Sequence, residues 1–125
     1  MHTNIRIGND IVNIPRFEKS LEITNFIEKI FHPNEIAYCE GKASRISSYA
    51  ARFAAKEAFA KALGTGLYAQ GITPQDIWVE NEPNGRPCLK FSEGVKIILE
   101  KQSISKAEVS LSHHIDYAIA SVVML

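Results

Sequence analysis

One segment, SYAARFAAKEAFAKALG from Ser48 to Gly64, is the strongest helix signal in the chain, and the other segments are organised around it. Alanine loses no side-chain entropy in a helix, and lysine, arginine and glutamate lose little. Ser48 is a candidate N-cap, and Gly64 is a candidate residue to end the helix. The sequence therefore predicts one long helix over 48–64.

The predicted helix has two faces of different chemistry. Phe53, Glu57 and Lys61 follow one another at intervals of four residues, which places them along one stripe. The residues suited to close packing lie nearly opposite and are Ala51, Ala55, Ala58, Phe59 and Ala62. By itself, such a stripe is typical of a surface helix with a weak Glu57–Lys61 ion pair. Whether this stripe belongs to an active site depends on other segments of the sequence.

The composition is that of an ordinary globular chain. Its 125 residues are 46% hydrophobic and 22% charged, which predicts a single domain over 1–125. A net charge of zero gives no reason to expect a nucleic-acid partner. We see no signal peptide or membrane-spanning segment, so we expect a cytoplasmic protein without a membrane partner. The two cysteines lie far apart without metal-binding spacing, which predicts free thiols.

Helix patterns follow one another after the first strand, and the other strand patterns come in two hairpins, which indicates an α+β protein. The segments predicted as strands are 5–14, 77–81, 88–91, 109–113 and 117–124. Besides the alanine-rich helix, we predict a helix over 16–31 that Thr24 or Asn25 interrupts, a short helix after Asn34, and a helix over 92–102. Asn84-Gly85 predicts a hairpin turn between two of the strands.

The first predicted strand carries an aspartate in its interior, where aspartate is unfavourable. Asp10 shares one face of the strand with Gly8 and Val12, whereas Ile7 and Ile11 lie on the other face. Gly8 lets another backbone or a ligand approach closely. Asp10 either bonds a loop amide or belongs to a site, and the strand alone does not distinguish the two.

Asp10 and Glu57 are carboxylates in unusual settings without a nearby histidine or cysteine in sequence. Such a pair suits Mg²⁺, which completes its shell with water and substrate phosphates. Lys61 could then neutralise charge on leaving phosphate oxygens. Common nucleotide-binding and hydrolase motifs are absent from the sequence. The residues alone favour, but do not establish, a magnesium site for a phosphate-bearing substrate.

Three motifs in this order resemble holo-acyl-carrier-protein synthase, the small class of phosphopantetheinyl transferases. They are Gly8-x-Asp10-Ile-Val, Phe53-Ala-Ala-Lys56-Glu57-Ala-x-x-Lys61-Ala and Ser110-x-Ser112-His113. The resemblance implies a 4′-phosphopantetheinyl transferase-like fold, with an antiparallel sheet of about five strands and the alanine-rich helix packed on it. It also implies transfer of 4′-phosphopantetheine from coenzyme A to a serine of apo acyl carrier protein. Adenosine 3′,5′-bisphosphate would be released.

The resemblance assigns roles to individual residues. Asp10 and Glu57 would bind Mg²⁺, and with Lys61, which would contact the phosphates, they form the expected catalytic set. The residues implied to bind coenzyme A are His113, Ser112, Asn84, Gly85, Arg86, Pro87 and Lys61. Lys56 matches the motif without a defined role. Val12 stands where larger relatives have a third acidic ligand, a place that water would fill here.

The implied partner protein is typically acidic, so a basic surface is expected to dock it. The candidates are Arg16, Lys19, Arg45 and Arg52, with Phe53 as an apolar contact, and Arg16 ranks first. Single-domain members of the family form trimers. The resemblance therefore implies a homotrimer in which His113 of one subunit lies near Asp10 and Glu57 of the next.

Two other functions stay open. One is a non-catalytic module of the same fold that binds coenzyme A or a nucleotide, and the other is an α+β interaction protein without a ligand. Asp10, Glu57 and Lys61 argue against the first, because a binding module need not retain a metal pair. Several finer questions are left undecided by the sequence: the general base, Mg²⁺ against Mn²⁺, the preferred carrier, the use of acylated coenzyme A, and the role of His114.

Overall fold

The computed structural model describes residues 4–65 and 69–125, where one strand and four α-helices are followed by two β-hairpins with a helix between them. The strands are β1 (Arg6–Asn13), β2 (Ile77–Asn81), β3 (Pro87–Phe91), β4 (Ala107–His114) and β5 (Tyr117–Met124). The α-helices are α1 (Ile14–Leu21), α2 (Phe26–Ile30), α3 (Pro33–Glu40), α4 (Arg45–Leu63) and α5 (Glu93–Lys101). Short 3₁₀ turns cover Ala69–Gly71 and Pro74–Asp76. Among the described helices, we find none with the length and apolar character needed to cross a membrane.

The five strands are antiparallel and form two sheets. One sheet has the order β1-β5-β4, and the other is the β2–β3 hairpin. Strands β3 and β4 lie side by side but are not joined in one ladder. β3 begins with Pro87, which has no N–H to donate and is typical of edge strands. The expected α+β fold with five strands and a packed helix is confirmed, and the expected single sheet is divided in two.

Helix α4 lies across the inner face of the three-stranded sheet and forms the centre of the core. The buried sheet residues on this face are Val12, Ala118, Ala120, Val122 and Met124. The helix meets them with small side chains, and Ala54, Ala55 and Ala58 are fully buried. Small residues on both surfaces let the helix lie close to the sheet. The prediction that the alanine face is the packing face is confirmed.

The closest approach between α4 and the sheet is at Gly8. A Cβ atom at this position would lie 2.2 Å from the carbonyl oxygen of Ala58 and 2.6 Å from the backbone nitrogen of Ala62. Both distances are well inside van der Waals contact, so only glycine lets the helix backbone cross β1 here. This crossing sets the position of α4 over β1. It also confirms that Gly8 permits another backbone to approach.

Of the two predicted ends of α4, the structure confirms the second and not the first. The helix begins at Arg45 rather than at the predicted residue 48, and Ser44 takes the N-cap position. Ser48 therefore lies inside the first turn, where its backbone N–H donates to the Ser44 carbonyl at 2.9 Å. Gly64 ends the helix with a φ of +90°, as predicted.

The predicted helix over 16–31 is two helices. Asn25, with a φ of +64°, separates α1 from α2, as the predicted interruption requires. The N-cap of α1 is Asn13, whose side chain accepts a hydrogen bond from the backbone N–H of Arg16 at 3.0 Å. Helix α1 therefore starts directly after β1 and lies next to Asp10 in the chain.

The face of the three-stranded sheet that points away from α4 is apolar and exposed in the single chain. Ile7, Ile11, Ile119 and Val123 form this outer sheet face, and their exposed fractions range from 36% to 67%. Ile11 lies opposite Ile119, and Ile7 lies opposite Val123, so the apolar residues of β1 and β5 are contiguous. An exposed apolar patch rimmed by polar residues indicates a protein interaction surface.

Candidate active site

Three charged side chains meet where α4 crosses β1. The ammonium of Lys61 donates to the Asp10 carboxylate and to the Asn9 carbonyl, each at 3.0 Å. Burial and the nearby Asp10 carboxylate raise the pKa of Glu57, and Lys61 opposes that rise. The structure therefore brings Asp10, Glu57 and Lys61 together, and the set carries one more negative charge than positive.

A cleft of about 540 Å³ opens beside these residues, between β1, α1 and α4. Asp10, Arg16, Phe53 and Glu57 are among its lining residues. Phe53 packs against Phe17 with ring centroids 5.2 Å apart, which gives the cleft an aromatic wall. The cleft therefore offers carboxylates, a guanidinium and an apolar surface to a ligand.

The donor set of the cleft fits a hard cation. Asp10 and Glu57 supply carboxylate oxygens, and within 4–65 and 69–125 no group of three or more His, Cys, Asp or Glu side chains could hold a metal ion. Mg²⁺ binds through one or two carboxylates together with water and substrate phosphates, whereas Zn²⁺ needs three or four protein ligands. Val12 is buried and has no donor atom. The residues therefore fit a magnesium ion whose shell a phosphate-bearing substrate would complete.

Residues predicted to bind coenzyme A lie at the opposite edge of the three-stranded sheet. His113 is on the edge strand β4, and β5 lies between β4 and β1. His113 pairs with Ala118, whereas Ser112 pairs with Ile119 of the outer sheet face. Since neighbouring residues of a strand point to opposite faces, the side chains of Ser112 and His113 lie on different sides of the sheet. Within one chain, neither residue joins Asp10.

The predicted turn of Asn84, Gly85, Arg86 and Pro87 is the tip of the β2–β3 hairpin. Gly85 has a φ of +89°, as the Asn-Gly pattern predicts. The guanidinium of Arg86 donates to the Glu108 carboxylate of β4 at 3.0 Å. The turn therefore belongs to the β4 side of the molecule, away from the cleft of Asp10 and Glu57.

The predicted docking residues divide by exposure. Arg16 and Lys19 are exposed on α1, and Arg16 lines the cleft. Phe53 is half-buried in the same cleft. Arg45 is half-buried, and its guanidinium donates to the Glu40 carboxylate at 2.9 Å. Arg16, Lys19 and Phe53 thus form the part of the predicted surface that adjoins the cleft.

Arg52 is a correction to the predicted docking surface. It is 4% exposed, and its guanidinium donates to the Asn81 side chain at 2.7 Å and lies 4.0 Å from the ring centre of Tyr38. The arginine is therefore part of the interior between α3, α4 and β2. A residue buried in this way is not available to an incoming protein surface.

An ion pair between Lys56 and Glu35, which was not predicted from the sequence, lies in the core. Both side chains are fully buried, with the Lys56 ammonium 2.6 Å from the Glu35 carboxylate. The ammonium also donates to the carbonyls of Pro74 and Ile77, so its three donors are satisfied. Glu35 accepts a further bond from the backbone N–H of Val79 at 3.0 Å. The pair joins α3, α4 and β2.

One signal could have indicated this burial. Lys56 lies four residues after Arg52 and three residues before the buried Phe59, on the side of the helix that faces the core. A charged residue at such a position requires a buried partner. Lys56 therefore belongs to the core and not to the cleft, although it precedes Glu57 directly.

Comparisons with known proteins agree with this architecture. A family model for the 4′-phosphopantetheinyl transferase superfamily matches residues 6–122. The holo-[acyl-carrier-protein] synthases of Koribacter versatilis and Geobacter sulfurreducens are 41% and 45% identical over 119 residues, with 94% of each chain covered. The solved holo-[acyl-carrier-protein] synthase of Neisseria meningitidis is 32% identical with a TM-score of 0.88, covering 96% of this chain and 97% of that one. The Helicobacter pylori synthase, solved in complex with coenzyme A, is 35% identical with a TM-score of 0.83, covering 95% and 99%. The chain therefore belongs to the 4′-phosphopantetheinyl transferase superfamily.

Proposed function

We propose that this protein transfers the 4′-phosphopantetheine group of coenzyme A to a serine of apo acyl carrier protein and releases adenosine 3′,5′-bisphosphate. The observation that carries the proposal is the meeting of Asp10, Glu57 and Lys61 at the edge of a cleft. The relatives named above are holo-[acyl-carrier-protein] synthases, and one of them was solved with coenzyme A. The names of these relatives and the coenzyme A bound to one of them support coenzyme A as the co-substrate.

Asp10 and Glu57 would hold one Mg²⁺ beside the pyrophosphate of coenzyme A. Such an ion, when bound, offsets the charge that develops on the phosphate oxygens. The Lys61 side chain is 56% exposed, so its ammonium is accessible to a phosphate that enters the cleft beside Asp10. We assign Lys61 the neutralisation of the leaving group.

The attacking group is the serine hydroxyl of the carrier. Its oxygen forms a bond to the β-phosphorus of coenzyme A, while the bond from that phosphorus to the bridging oxygen breaks. The electron pair leaves with adenosine 3′,5′-bisphosphate. The hydroxyl proton passes to Glu57 or to a water beside it, since a hydroxyl is a weak nucleophile without a base. By holding the cation, Asp10 and Glu57 would orient the phosphates for attack in line with the leaving oxygen.

The proposal includes a homotrimer, because the residues expected to bind coenzyme A lie on two separate edges of one chain. The apolar outer sheet face of Ile7, Ile11, Ile119 and Val123 supports an interface between copies. In the trimer, His113 and the Asn84–Pro87 turn of one subunit would face Asp10 and Glu57 of the next. Light scattering should give three times the 13.9 kDa chain mass. A strictly monomeric and active enzyme would contradict this arrangement.

Docking of the carrier is assigned to the exposed side of α1. Arg16 and Lys19 supply positive charge beside the cleft, and Phe53 supplies an apolar contact. Acidic surfaces are steered toward such charges, and the effect weakens with salt. Arg45 is a weaker docking candidate, because its guanidinium is already paired with the Glu40 carboxylate.

The decisive experiment weighs the carrier. Wild-type protein is mixed with apo acyl carrier protein, coenzyme A and Mg²⁺, and the carrier mass is expected to rise by one phosphopantetheine group. Glu57→Gln should fold normally and lose this activity, because it removes a metal-binding charge at constant volume. Glu100→Gln, an exposed residue of α5, is the matched control and should keep full activity.

No mass gain with a competent carrier would refute the transferase proposal. If coenzyme A still bound under those conditions, the protein would instead be a non-catalytic coenzyme A-binding module. Near-normal activity of Glu57→Gln would refute the assignment of Glu57 to the metal.

A further inference from the structure

We propose that Lys61 is the counter-ion of Asp10 in the ligand-free protein, and that its release couples the binding of the divalent cation to the binding of coenzyme A. This inference rests on the proposed function. It concerns the order of events at the site rather than the transfer itself. The Lys61 ammonium lies 3.0 Å from a carboxylate oxygen of Asp10, one of the two residues proposed to hold the cation.

Two hydrogen bonds hold the ammonium on β1. Lys61 donates to the Asp10 carboxylate and to the Asn9 carbonyl, and both acceptors belong to the strand that α4 crosses. Glu57 lies one helical turn before Lys61, yet Lys61 forms its ion pair with Asp10. The partner on β1 is selected because Gly8 brings that strand under the helix.

The ammonium and a divalent cation compete for the same carboxylate. The Asp10 side chain is only 17% exposed, so little of its carboxylate is accessible from outside. Two positive charges a few ångströms apart repel each other, and this repulsion is stronger at a partly buried site than in water. In the free protein, Lys61 therefore lowers the affinity of Asp10 and Glu57 for the metal.

Coenzyme A removes this competition. Its pyrophosphate is anionic and attracts the ammonium, and the exposed side chain of Lys61 can turn toward it without movement of the helix. Asp10 then becomes available to the cation. By thermodynamic linkage, coenzyme A and the cation increase each other's affinity by the same factor. The metal site is thus weak until the substrate is present.

Direct metal binding tests the inference without any transfer reaction. Free Mn²⁺ is measured by electron paramagnetic resonance in titrations of the protein, with neither coenzyme A nor carrier present. Lys61→Met should bind Mn²⁺ about fivefold more tightly than wild type, the upper limit for an exposed ion pair. Lys101→Met removes the same charge from the exposed end of α5 and should bind as wild type does. Equal affinities for the Lys61 and Lys101 variants would overturn the inference.

A second titration adds coenzyme A, with correction for the Mn²⁺ that it binds in solution. Coenzyme A should raise the Mn²⁺ affinity of wild type by a larger factor than that of Lys61→Met. Equal factors would overturn the coupling.

These outcomes are separable from the proposed function. If the binding pattern holds but the carrier gains no mass, Lys61 is the counter-ion and the transfer proposal is wrong. If Asp10→Asn binds Mn²⁺ as tightly as wild type, the metal site itself is wrong, and the inference falls with it.

Discussion

Two lysines of α4 that are five residues apart form ion pairs of opposite character. Lys56 and Glu35 are both fully buried, and every donor of the ammonium is bonded within the core. Lys61 is 56% exposed and bonds to Asp10 at the edge of an open cleft. Burial lowers the pKa of Lys56, and the Glu35 carboxylate opposes that effect. The first pair holds three elements together, whereas the second can exchange its partner for a ligand.

One short motif can therefore combine a structural lysine with a functional one. Five helical residues correspond to a rotation of about 140° around the axis, so the two side chains leave the helix in different directions. Lys56 points toward α3 and β2, and Lys61 points toward β1. Their roles follow from the neighbours that each direction offers, since the residue type is the same.

The largest expected effect comes from breaking the buried pair. Glu35→Gln or Lys56→Met should each lower the free energy of unfolding by about 3–5 kcal/mol, because each leaves a buried charge without its partner. Urea denaturation followed by circular dichroism measures the change. The double variant should lose less than the sum of the two single losses. A loss below about 1 kcal/mol for either single variant would show that the pair does not hold the fold together.

Breaking the exposed Lys61–Asp10 pair should reduce activity and leave stability almost unchanged. Lys61→Met is expected to reduce the rate of carrier modification by about 10²-fold, because it removes a charge that stabilises the leaving group. Its free energy of unfolding should change by less than about 1 kcal/mol, as expected for an exposed ion pair. Transfer kinetics and urea denaturation of the same preparation provide both numbers. A large loss of stability would contradict the contrast between the two lysines.

Gly8→Ala tests how Lys61 is brought to Asp10. The new methyl group would clash with the backbone of Ala58 and Ala62, so α4 must shift at a cost of about 1–3 kcal/mol. Gly41→Ala is the matched control, because its nearest neighbour would be the Ala37 carbonyl at 3.8 Å. We expect the Gly8 variant to lose Mn²⁺ binding and stability together, and the Gly41 variant to lose neither. An unchanged melting temperature for Gly8→Ala would refute the close crossing.

The smallest expected effect concerns a half-buried carboxylate outside the cleft. Hydrogen bonds from Trp78 and Asn34 hold the pKa of Glu80 below its usual value of 4.5. The unfolded chain then binds the proton more readily than the folded chain, so these bonds stabilise the fold above about pH 4.5 and this contribution is lost as the pH falls further. Wild type should therefore lose stability more steeply than Glu80→Gln between pH 5 and pH 3. An equal loss of unfolding free energy in the two proteins over this pH range would refute the prediction.

Local signals predicted much of the framework. The alanine-rich helix, its end at Gly64, the Asn84-Gly85 hairpin and the break at Asn25 all follow from backbone preferences of the residues themselves. The resemblance of the three motifs to a known family implied in addition that Asp10, Glu57 and Lys61 form one set. The helix, the hairpin and the break each depend on a few neighbouring residues and are therefore readable in one sequence.

The roles of Arg52 and Lys56 could not be predicted with the same certainty. Both are long charged residues of a helix whose exposed and buried sides were assigned from its apolar residues alone. Asn81 accepts from Arg52 and Glu35 accepts from Lys56, and both partners are distant in sequence and come close only through the packing of α3 and β2 on α4. A buried charge is tolerated where its partners are placed around it, and that placement is a property of the whole fold.

Helix propensity and turn chemistry act over a few neighbouring residues, so most helices, strands and turns of this protein could be predicted from its sequence. Which lysine is buried, which is exposed, and why Asp10 meets Lys61 all depend on how α4 packs against the rest of the fold. That outcome depends on Gly8, where the absence of a side chain lets α4 cross β1 at backbone distance. The crossing turns one side of the helix into core and leaves the other side open to a ligand.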